Sequence, residues 1–176
     1  NPVVMKVVLV SKFGQPDDVM SVVEGVTKKP APSKKELLIR VMACSLSPGD
    51  YRALLGDKRV VANPTMPYIP GGDVSGIVED VPEILKNQYD IGDRVVSTWD
   101  TFGIGGLAEY KLVNPKNTAK LPKELTFQQG AALVNSAPHA KLILDRAQIK
   151  KGDRVLVLGG SGGVGTTVIQ VARLRG

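Results

Sequence analysis

Sulfur and imidazole are nearly missing from this chain: its 176 residues hold one cysteine, Cys44, and one histidine, His139. A single thiol forms no internal disulfide, and the pair cannot supply the ligands of a zinc centre built on cysteine or imidazole. A reducing, intracellular compartment is therefore expected. Aromatic residues amount to 5%, with one tryptophan. No apolar run approaches the roughly 18 residues that cross a bilayer, so no transmembrane segment is expected. Asn1-Pro2-Val3-Val4 is not a basic segment leading into a long apolar one, and no secretory leader is read there. Internal repeats and low-complexity tracts are absent too.

The charge present leans positive, with 23 Lys and Arg against 17 Asp and Glu, a net of +6. Lys28, Lys29, Lys34 and Lys35 gather around Pro30 and Pro32. Such a patch reads as a contact for nucleic acid or an anionic surface, or as a solvated loop stiffened by proline. No aromatic residues interleave with the lysines, which disfavours nucleic acid. An acidic nucleotide ligand also suits a basic protein.

The most informative stretch is Gly159-Gly160-Ser161-Gly162-Gly163-Val164-Gly165. Before it, Lys151-Gly152-Asp153 signals a turn and residues 154–158 form a short β-branched run, the pattern of a strand buried on both faces. After it, Val164, Val168, Val171 and Ala172 fall on one face of a helix. Gly160-x-Gly162-x-x-Gly165 thus lies where strand turns into helix, as in a dinucleotide-binding turn. One glycine permits the tight turn, the next removes a Cβ that would hold backbone away from a pyrophosphate, and the last lets helix pack on strand. The free N–H groups and dipole of the first helical turn then face the phosphates. Gly-rich strand-to-helix turns without a nucleotide are the alternative.

Along the chain, residues 3–10, 19–26 and 36–44 read as strands. Ser47-Pro48-Gly49-Asp50 breaks the third, and a short helix follows over 51–55, ending at Gly56. Residues 57–69 read as an exposed loop. Residues 74–81 form a strand that Gly76 bends or bulges. Further strands are read at 94–99, 105–113 and 118–122. Seven or so strands with frequent Gly and Pro turns imply a barrel-like or sandwich-like β domain. Then the period changes. Thr126-x-x-Gln129 is a capping box opening a helix through Val134, and Pro138 begins another whose Leu142, Ile143 and Ala147 are expected inside. The boundary is placed at residue 125, with 126–176 holding connecting helices and the start of a nucleotide-binding domain.

This order of motifs resembles the medium-chain dehydrogenase/reductase superfamily, in its quinone oxidoreductase-like, zinc-independent branch. The segments that carry the resemblance are Met5-Lys6-Val7-Val8 with Phe13-Gly14, residues 43–50, Ile69-Pro70-Gly71-Gly72-Asp73-Val74-Ser75-Gly76-Ile77-Val78, Gly92-Asp93-Arg94-Val95, Gly106-Leu107-Ala108-Glu109-Tyr110 and the glycine turn. The wording of Ser47-Pro48-Gly49-Asp50-Tyr51-Arg52 and of the glycine turn is most similar to plastid and mitochondrial homologues. The resemblance implies a GroES-like, partly open β-barrel over 1–125 and the first β-α unit of a Rossmann, doubly wound domain, incomplete within these residues. It implies a soluble protein of the cytoplasm, chloroplast or mitochondrion, with a homodimer or larger complex as its assembly.

Position by position, zinc-dependent members carry Cys where this chain has Ser47 and Gly-His-Glu where it has Gly71-Gly72-Asp73, so no zinc is expected. The resemblance places Ser47, Asp50, Tyr51 and Arg52 along the active cleft. Ser47 is then a hydrogen-bonding group for ribose or substrate, and Tyr51 or Arg52 a stabiliser of enolate or quinol oxygen. Asp50 as a helix cap, with Tyr51 and Arg52 as exposed helix residues, is the plainer reading. His139 occupies the place of a nicotinamide-contacting residue and reads as a proton donor or as a cap. Asn135 and Ser136 are polar contacts of the same kind, and Asn135 joins Gly160, Ser161, Gly162, Gly163, Val164 and Gly165 as a cofactor-binding candidate. Lys141 stands where the family tends to have an aromatic. The cofactor implied is NADPH, with NADH open, because the residue that separates them lies about 20 positions beyond the turn. Two functions follow: an oxidoreductase passing hydride to a quinone or an α,β-unsaturated carbonyl, or a non-catalytic docking subunit derived from one.

Overall fold

The computed structural model describes residues 3–57, 64–99 and 105–176, and they fall into two compact units, Asn1–Ala131 and Ala132–Gly176. In the first, β1 (Val4–Val10) pairs antiparallel with β2 (Met20–Lys28), joined through the short α1 (Pro16–Val19). The sequence pattern had no place for α1; Pro16 with Asp17 and Asp18 in the first turn is the local signal for it. Five further strands are β3 (Leu37–Ser45), β4 (Asp73–Asp80), β5 (Arg94–Ser97), β6 (Tyr110–Val113) and β7 (Thr118–Lys120). They form one antiparallel sheet in the order β6-β3-β4-β5-β7. Two isolated bridges, Val7 with Ala108 and Val10 with Tyr68, tie the ribbon to this sheet's connections without closing the ring. The result is the partly open barrel that the motif order implies.

Alternation builds the core. Val74 and Val78 of β4, Val95 of β5 and Val113 of β6 project inward at every second position, beneath Leu37 and Ile39 of β3. Gly76 lies against the Arg40 carbonyl, where a Cβ would collide with backbone. The pairing shifts beside it, from Val41–Gly76 to Ala43–Ser75, so the extra residue is Met42 on β3. The bend expected at Gly76 is thus a bulge in its partner strand.

The connection expected to be exposed over 57–69 differs: residues 58–63 lie outside the described residues, but Pro64 and Tyr68 are buried. Tyr68 exchanges both backbone hydrogen bonds with Val10, at 2.9 and 3.0 Å, and packs with Val19 and with Leu54 of α2 (Pro48–Leu54).

The capping box forms as read: the Thr126 N–H donates to Gln129 Oε1 at 2.8 Å, and the Gln129 N–H to Thr126 Oγ1 at 3.2 Å, opening α3 (Phe127–Leu133). The second unit contains α4 (Ser136–Ala147) and α5 (Gly163–Leu174), packed through Ala140, Leu144 and Val168. Leu142, Ile143 and Ala147 are exposed, contrary to the expectation that they face inward. Ala140 and Leu144 share the stripe that meets Val168, and packing selects that face of a helix apolar on both. Residues 154–157, expected as a strand, have no regular secondary structure. A parallel strand exists only through its neighbours' hydrogen bonds, and none of the described residues supplies them. Leu156 and Leu158 stand 84% and 86% exposed in consequence.

Candidate functional site

Ser47 is extended, and its hydroxyl accepts from the Asp50 N–H, while the Asp50 carboxylate accepts from the Ser47 N–H at 2.7 Å and the Ser47 hydroxyl at 2.8 Å. This reciprocal capping box starts α2, with Pro48 at its first position. The other carboxylate oxygen of Asp50 accepts from the Gly71 N–H at 3.0 Å. Asp50 is 4% exposed. Both its oxygens are committed within the protein, so Asp50 positions α2 against the glycine turn at 71–72, and Ser47 spends its hydroxyl on the same knot. The plainer reading of Asp50 as a cap is the geometry found.

Tyr51 and Arg52 follow on α2 with exposed side chains. The Tyr51 hydroxyl donates to Gln15 Oε1 at 3.2 Å, holding the phenol across the start of α1. Tyr51 and Arg52 thus stand exposed at consecutive positions of α2.

The Gly71–Gly72 turn admits no side chain. Gly71 has φ +92°, and a Cβ there would run into Cys44 Sγ; a Cβ at Gly72 would fall inside the indole of Trp99. Residues 105–107 strap over the turn, with Gly105 N–H donating to the Ile69 carbonyl at 2.8 Å, Gly106 N–H to Gly71 at 2.6 Å and Leu107 N–H to Pro70 at 3.1 Å. Asp73 is buried and accepts from Thr98 Oγ1 at 2.7 Å. At the positions where zinc-dependent members hold their metal, this chain therefore offers a serine hydroxyl bound to Asp50 and a glycine covered by indole, a donor set that does not fit zinc. Burial pushes the Cys44 thiol up to about 12, with Asp50 and Asp73 adding to the rise and Lys111 opposing it. A thiol so disposed stays protonated near neutrality and is a poor nucleophile.

In the second unit, Gly162 is the N-cap of α5, and no side chain caps this helix start. The Gly162 N–H turns back to the Gly159 carbonyl at 3.1 Å. The glycines differ in what they leave room for. A Cβ at Gly165 would strike the Gly159 carbonyl, and one at Gly160 would crowd Ile169 at 3.0 Å, whereas Gly163 has nothing within 4 Å and Gly162 only the Gly159 oxygen at 3.5 Å. Gly165 serves the packing of helix on turn; Gly162 and Gly163 leave an open approach to the free first-turn N–H groups. Val164 and Ser161 are exposed on the same turn. Asn135 is the N-cap of α4 without a side-chain capping bond, and His139 Nδ1 lies 2.7 Å from the Asn135 carbonyl, so the neutral ring donates from Nδ1. His139 Nε2 is left as the acceptor. Ser136 is buried, its hydroxyl donating to the Ala132 carbonyl and accepting from Thr167.

The residues read from sequence thus fall in two sets, Ser47, Asp50, Tyr51 and Arg52 together on α2 of the first unit, Asn135, His139 and the glycine turn in the second. Three participants escaped the pattern: Gly71 through its amide, Gln15 through its amide oxygen, and Trp99 through its ring. Only Trp99 carried a signal, as the lone tryptophan at the end of a strand. Of the lysine loop, Lys29 pairs with Glu79 at 3.4 Å and lies 3.8 Å over the Tyr110 ring, engaged within its own unit. Among the described residues no helix is long and apolar enough to cross a membrane, and no group of three His, Cys, Asp or Glu is placed to hold a metal.

An open antiparallel barrel followed by a glycine turn opening a helix defines the class of medium-chain dehydrogenases and reductases. Residues 33–123 match the family described as Alcohol dehydrogenase GroES-like domain, and the chain belongs to that family. Its similarity runs to quinone oxidoreductases: those of Lama guanicoe and Sus scrofa are each 39% identical, over 96% and 98% of this chain and 49% and 50% of their own length. The quinone oxidoreductase of Coxiella burnetii matches in structure with TM-score 0.82 at 33% identity, over 99% of this chain and 55% of that one. A mycobacterial protein complexed with NADPH matches with TM-score 0.80 at 30% identity, over 98% and 51%. The chain spans about half the length of the curated relatives it matches.

Proposed function

We propose that this chain is the substrate-side barrel and pyrophosphate turn of an NADPH-dependent, zinc-independent oxidoreductase acting on a quinone or an α,β-unsaturated carbonyl. The observation that carries this reading is the uncapped start of α5, where Gly162 and Gly163 leave backbone N–H groups open to an anion. The named activity of the relatives and the NADPH held by the mycobacterial neighbour support it. The residues present fit the cofactor: the first-turn N–H groups of α5 would hold its pyrophosphate, with Asn135 and His139 as the polar contacts that the resemblance implies.

When bound, NADPH supplies the hydride; the acceptor gains that hydride and one proton. Tyr51 and Arg52 stabilise the oxygen that becomes negative as the acceptor is reduced, by hydrogen bond and by charge. Ser47 and Asp50 hold α2 so that those groups stay in register with the Gly71–Gly72 turn. His139, on the second unit, is the candidate proton donor that the resemblance implies. NADH serves in place of NADPH only if the chain beyond the turn accepts it. The test is steady-state oxidation of NADPH with 1,4-naphthoquinone in the full natural protein. Absence of turnover together with absence of NADPH binding would reject the reading.

A second reading has its own observation. Ile143, Val155, Leu156, Leu158 and Val164 border an open apolar groove of about 440 Å³ on the second unit. A docking subunit would cover this face with a partner. Native mass of the isolated protein distinguishes the two: a stable heteromeric complex with no NADPH affinity favours docking.

A further inference from the structure

Met42 is the extra residue of the β3 bulge: the register runs from Val41 opposite Gly76 to Ala43 opposite Ser75 and passes over it. Its side chain is 43% exposed and lines an open groove of about 360 Å³ with Cys44, Val8, Val22 and Leu107. Solvent is not its only neighbour. Arg40 Nη1 donates to Met42 Sδ at 3.3 Å, and Nε of the same guanidinium donates to Glu79 Oε1 at 3.0 Å, which fixes the fork beside the sulfur. The other sulfur atoms are placed differently. Met5 is buried in β1, and Met20 and Met66 pack against the cluster of Val10, Val19, Leu54 and Tyr68. Cys44 shares the groove, but burial keeps its thiol protonated far above neutral pH.

We propose that Met42 is a site of reversible oxidation by hydroperoxides, at which the thioether becomes a sulfoxide held by Arg40. A sulfur lone pair attacks the terminal peroxide oxygen, and the S–O bond forms as the O–O bond breaks. Sulfur loses two electrons to the peroxide, and the proton of the transferred oxygen passes to the leaving one, which departs as water or an alcohol. Exposure makes this sulfur reachable, while a thiol reacts through its thiolate, so Cys44 does not compete. Two features let the barrel tolerate the product. The sulfoxide oxygen is a far stronger acceptor than thioether sulfur, and Arg40 already points a charged donor at this place. The bulge residue has no register partner and no place in the core, whereas the same change at Met5, Met20 or Met66 would put a polar group among packed apolar side chains. Met42 thereby takes up oxidant where the fold survives it, and methionine sulfoxide reductases can return it to the thioether.

The test treats the full natural protein with dilute hydrogen peroxide and follows each methionine by peptide mass spectrometry. Met42 is expected to gain oxygen at least about tenfold faster than Met5 and roughly threefold faster than Met20 and Met66, with Cys44 still fully alkylated by iodoacetamide after unfolding. Equal rates at these methionines, or loss of the Cys44 thiol before Met42 reacts, would overturn the proposal. A pair of methionine sulfoxide reductases, one for each sulfur epimer, should restore Met42 in the folded protein; a sulfoxide that resists both would overturn its reversibility. The part played by Arg40 is read from urea midpoints before and after oxidation of Met42. A shift in Arg40→Leu at least about twice that of wild type is expected, and equal shifts would show that the guanidinium does not hold the oxygen. Should Arg40→Leu not fold, the guanidinium N–H resonances of isotope-labelled wild type decide the point: a change at Arg40 on oxidation supports the bond, and none overturns it.

Discussion

The Asp50 carboxylate accepts a hydrogen bond from the Gly71 amide at 3.0 Å, across 21 residues of chain, while its other oxygen closes the capping box of α2. Replacing Asp50 with Asn puts an NH₂ against N–H donors in a buried place. A loss of about 2–4 kcal/mol is expected, read as a lowered urea midpoint, with a smaller loss of about 1 kcal/mol for Ser47→Ala. An unchanged midpoint in Asp50→Asn would show that the tie carries no stability.

Gly162 and Gly165 sit three residues apart and predict opposite phenotypes. Gly165→Ala forces a Cβ onto the Gly159 carbonyl and should lower thermal stability. Gly162→Val is expected to leave the melting temperature nearly unchanged and weaken NADPH binding at least tenfold by blocking the anion's approach. Calorimetry of both variants with and without NADPH separates them; weak binding in neither would move the phosphate site elsewhere.

The buried Tyr68 phenol and the half-buried Cys44 thiol contribute to the pH dependence of stability at alkaline pH. Burial, and secondarily Asp50, pushes the Tyr68 phenol up to about 12, as it does the Cys44 thiol. In the unfolded chain these groups ionise near 9 for the thiol and 10 for the phenol. Above those values the unfolded state has given up protons that the native state keeps, so their contribution falls as pH rises from about 9 toward 12. Urea midpoints followed against pH should decline in that window, less steeply in Cys44→Ala from about 9 and in Tyr68→Phe from about 10. Identical slopes in all three proteins would contradict the assignment.

The Tyr68 hydroxyl is buried and has no hydrogen-bond partner among the described residues. Tyr68→Phe removes an unsatisfied group and keeps the ring against Val10, Val19 and Leu54. It should match or exceed wild-type stability near neutral pH, by up to about 2 kcal/mol. A clear loss would mean the hydroxyl is satisfied in solution.

What the sequence disclosed was local. Thr126 and Gln129, or Ser47 and Asp50, sit at capping spacing, and the chain closes those boxes without distant help. The strands of the barrel were legible because alternation at Val74, Val78 and Val95 is a property of each segment. The Asp50–Gly71 tie and the indole over Gly72 join residues far apart, and no pattern announces them. Leu142 and Ala140 lie on different faces of one helix, and only Val168 across from them decides which is inside. The glycine turn was legible for a further reason: its strand-to-helix spacing is local, and the Cβ positions separate Gly165, which packs on the Gly159 carbonyl, from Gly162 and Gly163, which are left open.

Residues 154–157 make no backbone ladder with any described residue, beside the exposed Leu156 and Leu158. Two copies of the 176-residue chain expressed alone would find in each other the hydrogen bonds that neither possesses. Its solution behaviour should then be governed by concentration, with sedimentation shifting to larger species on raising the protein level. A lysine at Leu156 should suppress that shift without disturbing the barrel, making this short segment the gatekeeper of solubility for any isolated use of the domain.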